Sequence, residues 1–151
     1  MTSMNINIRK AEEKDIPSIL ALYSEIDFSN EEPLSLQNAK VIFSQIQSYP
    51  NYHIYVALVQ EEIVGTFALL IMDNLAHKGA PSGIVEDVAV SREWQGKGIG
   101  KQMMAYSMQK CKEVGCYKMA LSSNAIRKNA HRFYESLGFR KHGYSFEVDI
   151  A

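Results

Sequence analysis

Residues 91–104, SREWQGKGIGKQMM, place glycines at 96, 98 and 100 directly ahead of a run of good helix formers. A glycine-rich turn opening onto a helix leaves unpaired backbone N–H groups at a positive dipole end, which is the chemistry of an anion site. Two common phosphate schemes fail here. A Walker loop requires Gly-Lys-Ser/Thr preceded by a glycine five positions before the second one, yet Gly100-Lys101 is followed by Gln102 and the earlier position is Gln95. A dinucleotide fingerprint starting at Gly96 requires its third glycine at position 101, where the chain has Lys101. It also follows the first strand of its unit, whereas this turn follows a middle strand.

The flanking pattern limits the architecture. Residues 5–9 alternate as a short strand, and a helix is predicted from Ile16, capped by Asp15 with Pro17 in its first turn. Residues 28–35, FSNEEPLS, read as a loop. A second helix is expected over about 35–48, with Val41, Ile42 and Ile46 facing inward and Pro50 closing it. Residues 52–60 and 63–72 are rich in β-formers and form a hairpin around a Glu61-Glu62 turn. A turn-rich 73–82 segment leads to a strand over 83–90. After the glycine turn comes a helix over 98–113, with Ile99, Met103, Tyr106 and Val114 near one face and Gly115 as its stop. A strand at 116–123, a helix at 127–136 and a last strand at 143–149 complete the chain. The order gives an α/β protein with a mixed sheet covered by helices.

The length of 151 residues fits one domain over 1–151 with a sizeable core. A net charge of −1 supplies no field for nucleic acid, although RKNAHR at 127–132 and RKH at 140–142 form a local basic stretch. No run approaches the roughly 20 apolar residues of a membrane span. The N-terminus lacks the apolar core of a signal peptide, so a cytoplasmic location is expected. Cys111 and Cys116 have no metal-site spacing, and His53, His77 and His142 are scattered. No metal site is expected, and the thiols are expected to be reduced and partly buried.

Gln95-Gly96-Lys97-Gly98-Ile99-Gly100 fits [QR]-x-x-G-x-[GA] without adjustment. About thirty residues on, Ala130, Phe133, Tyr134, Gly138 and Phe139 fit the A-x-x-FY-x-x-x-GF part of N-x-x-A-x-x-FY-x-x-x-GF, with Asn129 directly before Ala130. Together these resemble the coenzyme A signature and closing motif of the GNAT acetyltransferase superfamily, over about residues 83–140. The resemblance implies the GNAT fold, with a partly splayed central sheet, and transfer of an acetyl group from acetyl-CoA to an amine. It implies that backbone at Val88, Ala89 and Val90 pairs with pantetheine, with N–H groups near Val88 supporting the oxyanion. It further implies that Gln95, Gly96, Lys97, Gly98, Ile99, Gly100 and Lys101 hold the pyrophosphate. Asn129 matches a coenzyme-contacting position, and Asn124 is a candidate for pantetheine or acceptor. Tyr134 matches the tyrosine that protonates the leaving thiolate.

A protonated alkylamine has a pKa near that of Lys, so a base must remove its proton. Glu86 and Asp87 are the adjacent acids of the strand that leads to the turn. Alternation sends them to opposite faces unless a bulge intervenes. Glu86 is the candidate base and Asp87 the candidate substrate-binding acid. The sequence around 121–134 also resembles the aminoalkylphosphonate branch, and the acid pair resembles the polyamine and glucosamine-phosphate branches. Arg127, His131 and Arg132 are therefore candidates for an acceptor anion, and His77 lies on a loop that would border the acceptor cleft. The acceptor expected is a small primary amine, with a homodimer implied by resemblance. A protein or peptide acceptor, and a non-catalytic acyl-CoA-binding module, are the competing readings.

Overall fold

The computed structural model describes residues 4–26, 32–123 and 125–150. Its elements are β1 (Asn7–Lys10), α1 (Ile16–Glu25), α2 (Leu36–Ser48), β2 (Tyr52–Val59), β3 (Glu62–Met72), β4 (Ser82–Val90), α3 (Ile99–Glu113), β5 (Lys118–Leu121) and α4 (Lys128–Ser136). Single 3-10 turns lie at Glu13–Asp15, His77–Gly79 and Arg92–Trp94. They form two compact units, residues 1–120 and 121–151.

The sheet runs β1-β2-β3-β4-β5 in sequence order. The first four strands are antiparallel neighbours, and β5, reached across α3, makes the sheet mixed. Alternation sorts the strands onto two faces. On one, Val56 joins Ile16, Ile19, Ala39 and Phe43 in a cluster that also packs Tyr23, Ile54 and Leu58. On the other, Phe67 lies on Tyr55 with ring centroids 5.1 Å apart, and Tyr106 of α3 meets Tyr55 edge-on at 5.3 Å. Ile99, Met103, Met104 and Cys111 complete the buried side of α3.

Several sequence expectations need correction. Asp15 starts α1 but makes no side-chain cap bond there. Its carboxylate is drawn away by Arg9, with bonds of 2.6 and 3.0 Å, and accepts the Glu12 N–H at 2.8 Å. In α2, Val41 and Ile42 are exposed, whereas Ala39 and Phe43 are buried and Ile46 is half-buried. The buried stripe follows 39, 43, 46, a helical period that leaves 41 and 42 on the flank. The hairpin turn is Gln60-Glu61, with φ of 49° and 69°, and Glu62 already belongs to β3. A two-residue hairpin turn with positive φ at both positions matches strand twist, and that requirement overrides the side chains' own preference. Val114 follows the last residue of α3 and is 52 % exposed. Residues 143–150 carry no strand, and their alternating Tyr144, Phe146, Val148 and Ile150 are exposed. A strand needs a partner ladder, and among the described residues after β5 the only regular element is α4. The predicted 28–35 loop lies partly outside the described residues; the described part leads to Ser35, whose hydroxyl caps α2 by accepting Asn38 N–H at 3.2 Å. The cysteines are free thiols, Cys111 buried and Cys116 partly so.

The Arg9–Asp15 pair closes β1 onto the start of α1. Its hydrogen bonds with Arg9 hold the Asp15 carboxyl below the ordinary Asp range, against the opposing effect of burial. A depressed folded-state pKa adds stability that is present above the unfolded value near 3.9 and is lost as pH falls through the folded one. Asp15→Asn is expected to lose about 1–2 kcal/mol, the low part of the range because Arg9 keeps solvent contact. Urea unfolding at pH 7 and pH 3 checks this: the difference between wild type and variant should shrink at the lower pH.

Candidate active site

The glycine turn follows β4 directly. Ser91 N–H donates to Val64 O at 2.9 Å, and a 3-10 turn at Arg92–Trp94 closes with Trp94 N–H on Ser91 O at 2.9 Å. Gln95 Nε2 donates to Val90 O at 3.1 Å, folding its side chain back on the strand end. Gly96 and Gly98 have φ of +76° and +88°. Nothing lies within 4 Å of a Cβ built at either position, so glycine is needed there for backbone conformation rather than for protein packing. Gly98 is the N-cap of α3 and offers no side-chain oxygen to the first-turn N–H groups. That turn also contains no acid, so neither the dipole nor the unpaired donors of Ile99, Gly100 and Lys101 are offset locally. Ile99 is 1 % exposed and belongs to the core. Lys97 sits over the Trp94 ring at 4.9 Å, and the Trp94 Nε1–H is buried without a partner among the described residues.

Upstream, β4 departs from regular pleating. Thr66 pairs with Ala89 and Ala68 with Glu86, so Asp87 and Val88 together oppose Phe67. This is a β-bulge, with Asp87 at a φ of 53°. Alternation is therefore broken between the two acids. Both act electrostatically on Tyr52, and Asp87 also acts on Tyr23 of α1. Both acids keep solvent contact. Partial desolvation raises the Glu86 carboxyl above its ordinary value, and the neighbouring Asp87 charge adds to this. Partial desolvation likewise raises Asp87. Among the described residues, no ion pair involves either acid. Burial also pushes both phenols up, so at neutral pH Tyr23 and Tyr52 stay protonated and able to donate. Val88 and Val90 are half-buried and Ala89 is 2 % exposed.

Tyr23 and Tyr52 carried no functional signal in the sequence. One falls in the buried period of a helix, the other at the first position of a strand. Their approach to the acids depends on sheet register: Tyr52 pairs with Leu70, which pairs with Ile84, two residues before Glu86.

In the second unit, α4 carries Tyr134. Its ring contacts Phe133 at 5.2 Å and Phe139 at 5.6 Å, and Phe139 N–H donates back to Tyr134 O at 3.1 Å. Gly138, at φ +96°, allows that reversal. Burial raises the Tyr134 phenol, while Arg127 pulls it down by a smaller amount. Asn129, Arg127 and Lys128 are exposed around an open depression at the N-terminus of α4. Asn124 lies outside the described residues. His77 stacks on Tyr117 at 4.0 Å, His53 is half-buried in β2, and His142 is exposed. Among the described residues, no three His, Cys, Asp or Glu side chains are grouped as a metal would require. None of the described helices is long and apolar enough to cross a membrane.

The bulged strand β4 thus leads directly into a donor-rich glycine turn, and the aromatic helix α4 follows later in the chain. The family model described as the acetyltransferase (GNAT) family matches residues 16–139. The chain belongs to the GNAT acetyltransferase family. It is 30% identical over 139 residues to the aminoalkylphosphonate N-acetyltransferase of Salmonella typhimurium, covering 92% of this chain and 88% of the relative. It is 28% identical over 148 residues to the glucosamine 6-phosphate N-acetyltransferase of Trypanosoma brucei brucei, covering 97% of each. Among solved structures, a protein of Agrobacterium tumefaciens superposes with a TM-score of 0.90 at 28% identity, covering 95% of this chain and 99% of that one. As a family member, this GNAT chain is an N-acetyltransferase.

Proposed function

We propose that this enzyme moves the acetyl group of acetyl-CoA to the primary amine of a small molecule, residues 1–151 acting as one catalytic domain. The observation that carries this is the direct succession, along β4 and into α3, of a bulge bearing two unpaired acids and a glycine turn bearing unpaired N–H donors. One supplies the chemistry of an ammonium site, the other that of a pyrophosphate site. The family match runs over residues 16–139 and so includes parts of both units.

Acetyl-CoA supplies an activated thioester. The N–H groups of Gly96 to Lys101 bind its phosphates, and the backbone of Val88, Ala89 and Val90 receives its pantetheine arm, with Asn129 as a further coenzyme contact. Glu86 takes the proton from the ammonium, and Asp87 holds the amine beside it. The N–H near Val88 supports charge developing on the carbonyl oxygen. As the nitrogen–carbon bond forms and the carbon–sulfur bond breaks, Tyr134 gives its proton to the thiolate. Tyr23 and Tyr52 wall the acid side and donate to polar groups of the acceptor. The two near full-length relatives are named for acceptors bearing both an amine and an anion, which supports that acceptor class here. A cytoplasmic location and a homodimer complete the reading.

A thiol-release assay with acetyl-CoA over polyamines, aminoalkylphosphonates, glucosamine 6-phosphate, amino acids and a lysine peptide tests it. Turnover is expected with a small amine, and turnover with the peptide alone would overturn the acceptor class. The base must be ionised, so the rate should climb with pH through the raised carboxylate pKa. That acid limb should lie above the ordinary Glu value near 4.3. Glu86→Gln is expected to lower kcat about 10²-fold and to remove the limb.

A further inference from the structure

An acid closes α1 where helix electrostatics disfavour it. Glu25 is the last residue of the helix, at the negative end of its dipole, and no basic residue shares that turn. The unfavourable placement is offset from the far side of the sequence. Glu25 Oε1 accepts the Arg92 backbone N–H at 2.6 Å and the Ser91 hydroxyl at 3.2 Å. A carboxylate accepting a backbone N–H at that distance makes a short, charge-assisted bond.

Ser91 and Arg92 open the turn whose later residues are the glycines. Trp94 N–H is bonded to Ser91 O and Gln95 N–H to Arg92 O. The two residues Glu25 holds are therefore the ones on which Trp94 and Gln95 are hung, and Gly96 follows at once. Tyr23, two residues before Glu25 on the same helix, lies in electrostatic range of Asp87. The last turn of α1 thus touches the acceptor side through one residue and the glycine turn through another.

We infer that Glu25 is a positioning residue: it anchors the start of the coenzyme turn to α1 and so sets the aim of the N–H groups that bind the coenzyme's phosphates. This rests on the coenzyme reading above. Glu25 touches neither substrate in that scheme; it acts through Ser91 and Arg92.

Coenzyme A titrated calorimetrically into the full chain tests the inference, beside acrylamide quenching of Trp94. Trp94 is the protein's single tryptophan and lies within the anchored turn. Glu25→Ala is expected to weaken coenzyme A about tenfold, the loss of one charge-assisted bond. It should also make Trp94 more accessible to quencher, with KM for acetyl-CoA rising and kcat nearly unchanged. Glu25→Gln keeps an oxygen acceptor and should recover most of the affinity. Wild-type coenzyme A affinity and quenching in Glu25→Ala would overturn the inference while leaving the coenzyme reading intact. Absence of binding by the wild-type chain would overturn both. A far-ultraviolet circular dichroism spectrum matching wild type separates loss of aim from loss of fold.

Discussion

Tyr134→Phe is expected to lower kcat by about 10²–10⁴-fold, with coenzyme A binding retained. The substitution removes one oxygen and keeps the ring. The ring is what packs against Phe133 and Phe139, so the local fold has no reason to change. Burial holds the phenol above its ordinary value near 10, which keeps it protonated across the neutral range. A proton donor must lose function as pH rises through its pKa, so the wild-type rate should fall only in the alkaline range. In the variant that alkaline limb should disappear with the activity. Steady-state kinetics from pH 6 to pH 11 on both proteins, with calorimetric binding of coenzyme A, check this. A variant that turns over near the wild-type rate would remove Tyr134 from the chemistry.

Phe67→Ala is expected to destabilise the protein by about 3–5 kcal/mol, out of a typical total of about 5–15. Phe67 has no exposed surface, lies flat on Tyr55 with a 13° interplanar angle, and meets the Tyr106 ring at 6.4 Å. Its loss would open a cavity between sheet and α3 that the rigid strands on either side cannot close. The same residue opposes Asp87 and Val88 in the bulge, so the acid site should suffer along with the core. Guanidinium unfolding measures the first effect. The second should appear as a loss of turnover larger than the unfolded fraction accounts for. Phe67→Leu, which refills most of the volume, should recover most of the stability. An alanine variant as stable as wild type would show that the aromatic stack does not hold the sheet to α3.

The sequence alone was enough for the glycine turn and the helix start that follows it. Its requirements are local: positive φ at Gly96 and Gly98, a helix start at Ile99, and no acid in the first turn. Such features are encoded by neighbours in the chain. The same holds for α4 and its stop at Gly138, for the hairpin apart from its turn, which falls one residue earlier, and for the order of strands and helices as far as α4. Patterns that specify a period without specifying a partner were legible only in part. The alternation over 143–149 has the form of a strand but forms none. In α2 the apolar residues outnumber the buried positions, so composition could not single out Ala39 and Phe43 from Val41 and Ile42.

Tertiary structure decided what stands around the acids. Glu86 and Asp87 are adjacent in sequence, and their relation depends on one residue of register slippage against β3. That slippage places both in range of Tyr52, and the packing of α1 against β3 and β4 brings Tyr23 to Asp87. Glu25 meets Ser91 and Arg92 for the same reason, across a separation of 66 and 67 residues. Dihedral preferences and helix ends are set by a few consecutive residues, whereas register and helix docking are set by the whole buried surface at once. The sequence therefore determined the conformation of the glycine turn and the helix start behind it, and only the folded sheet determined which side chains gather around Glu86 and Asp87.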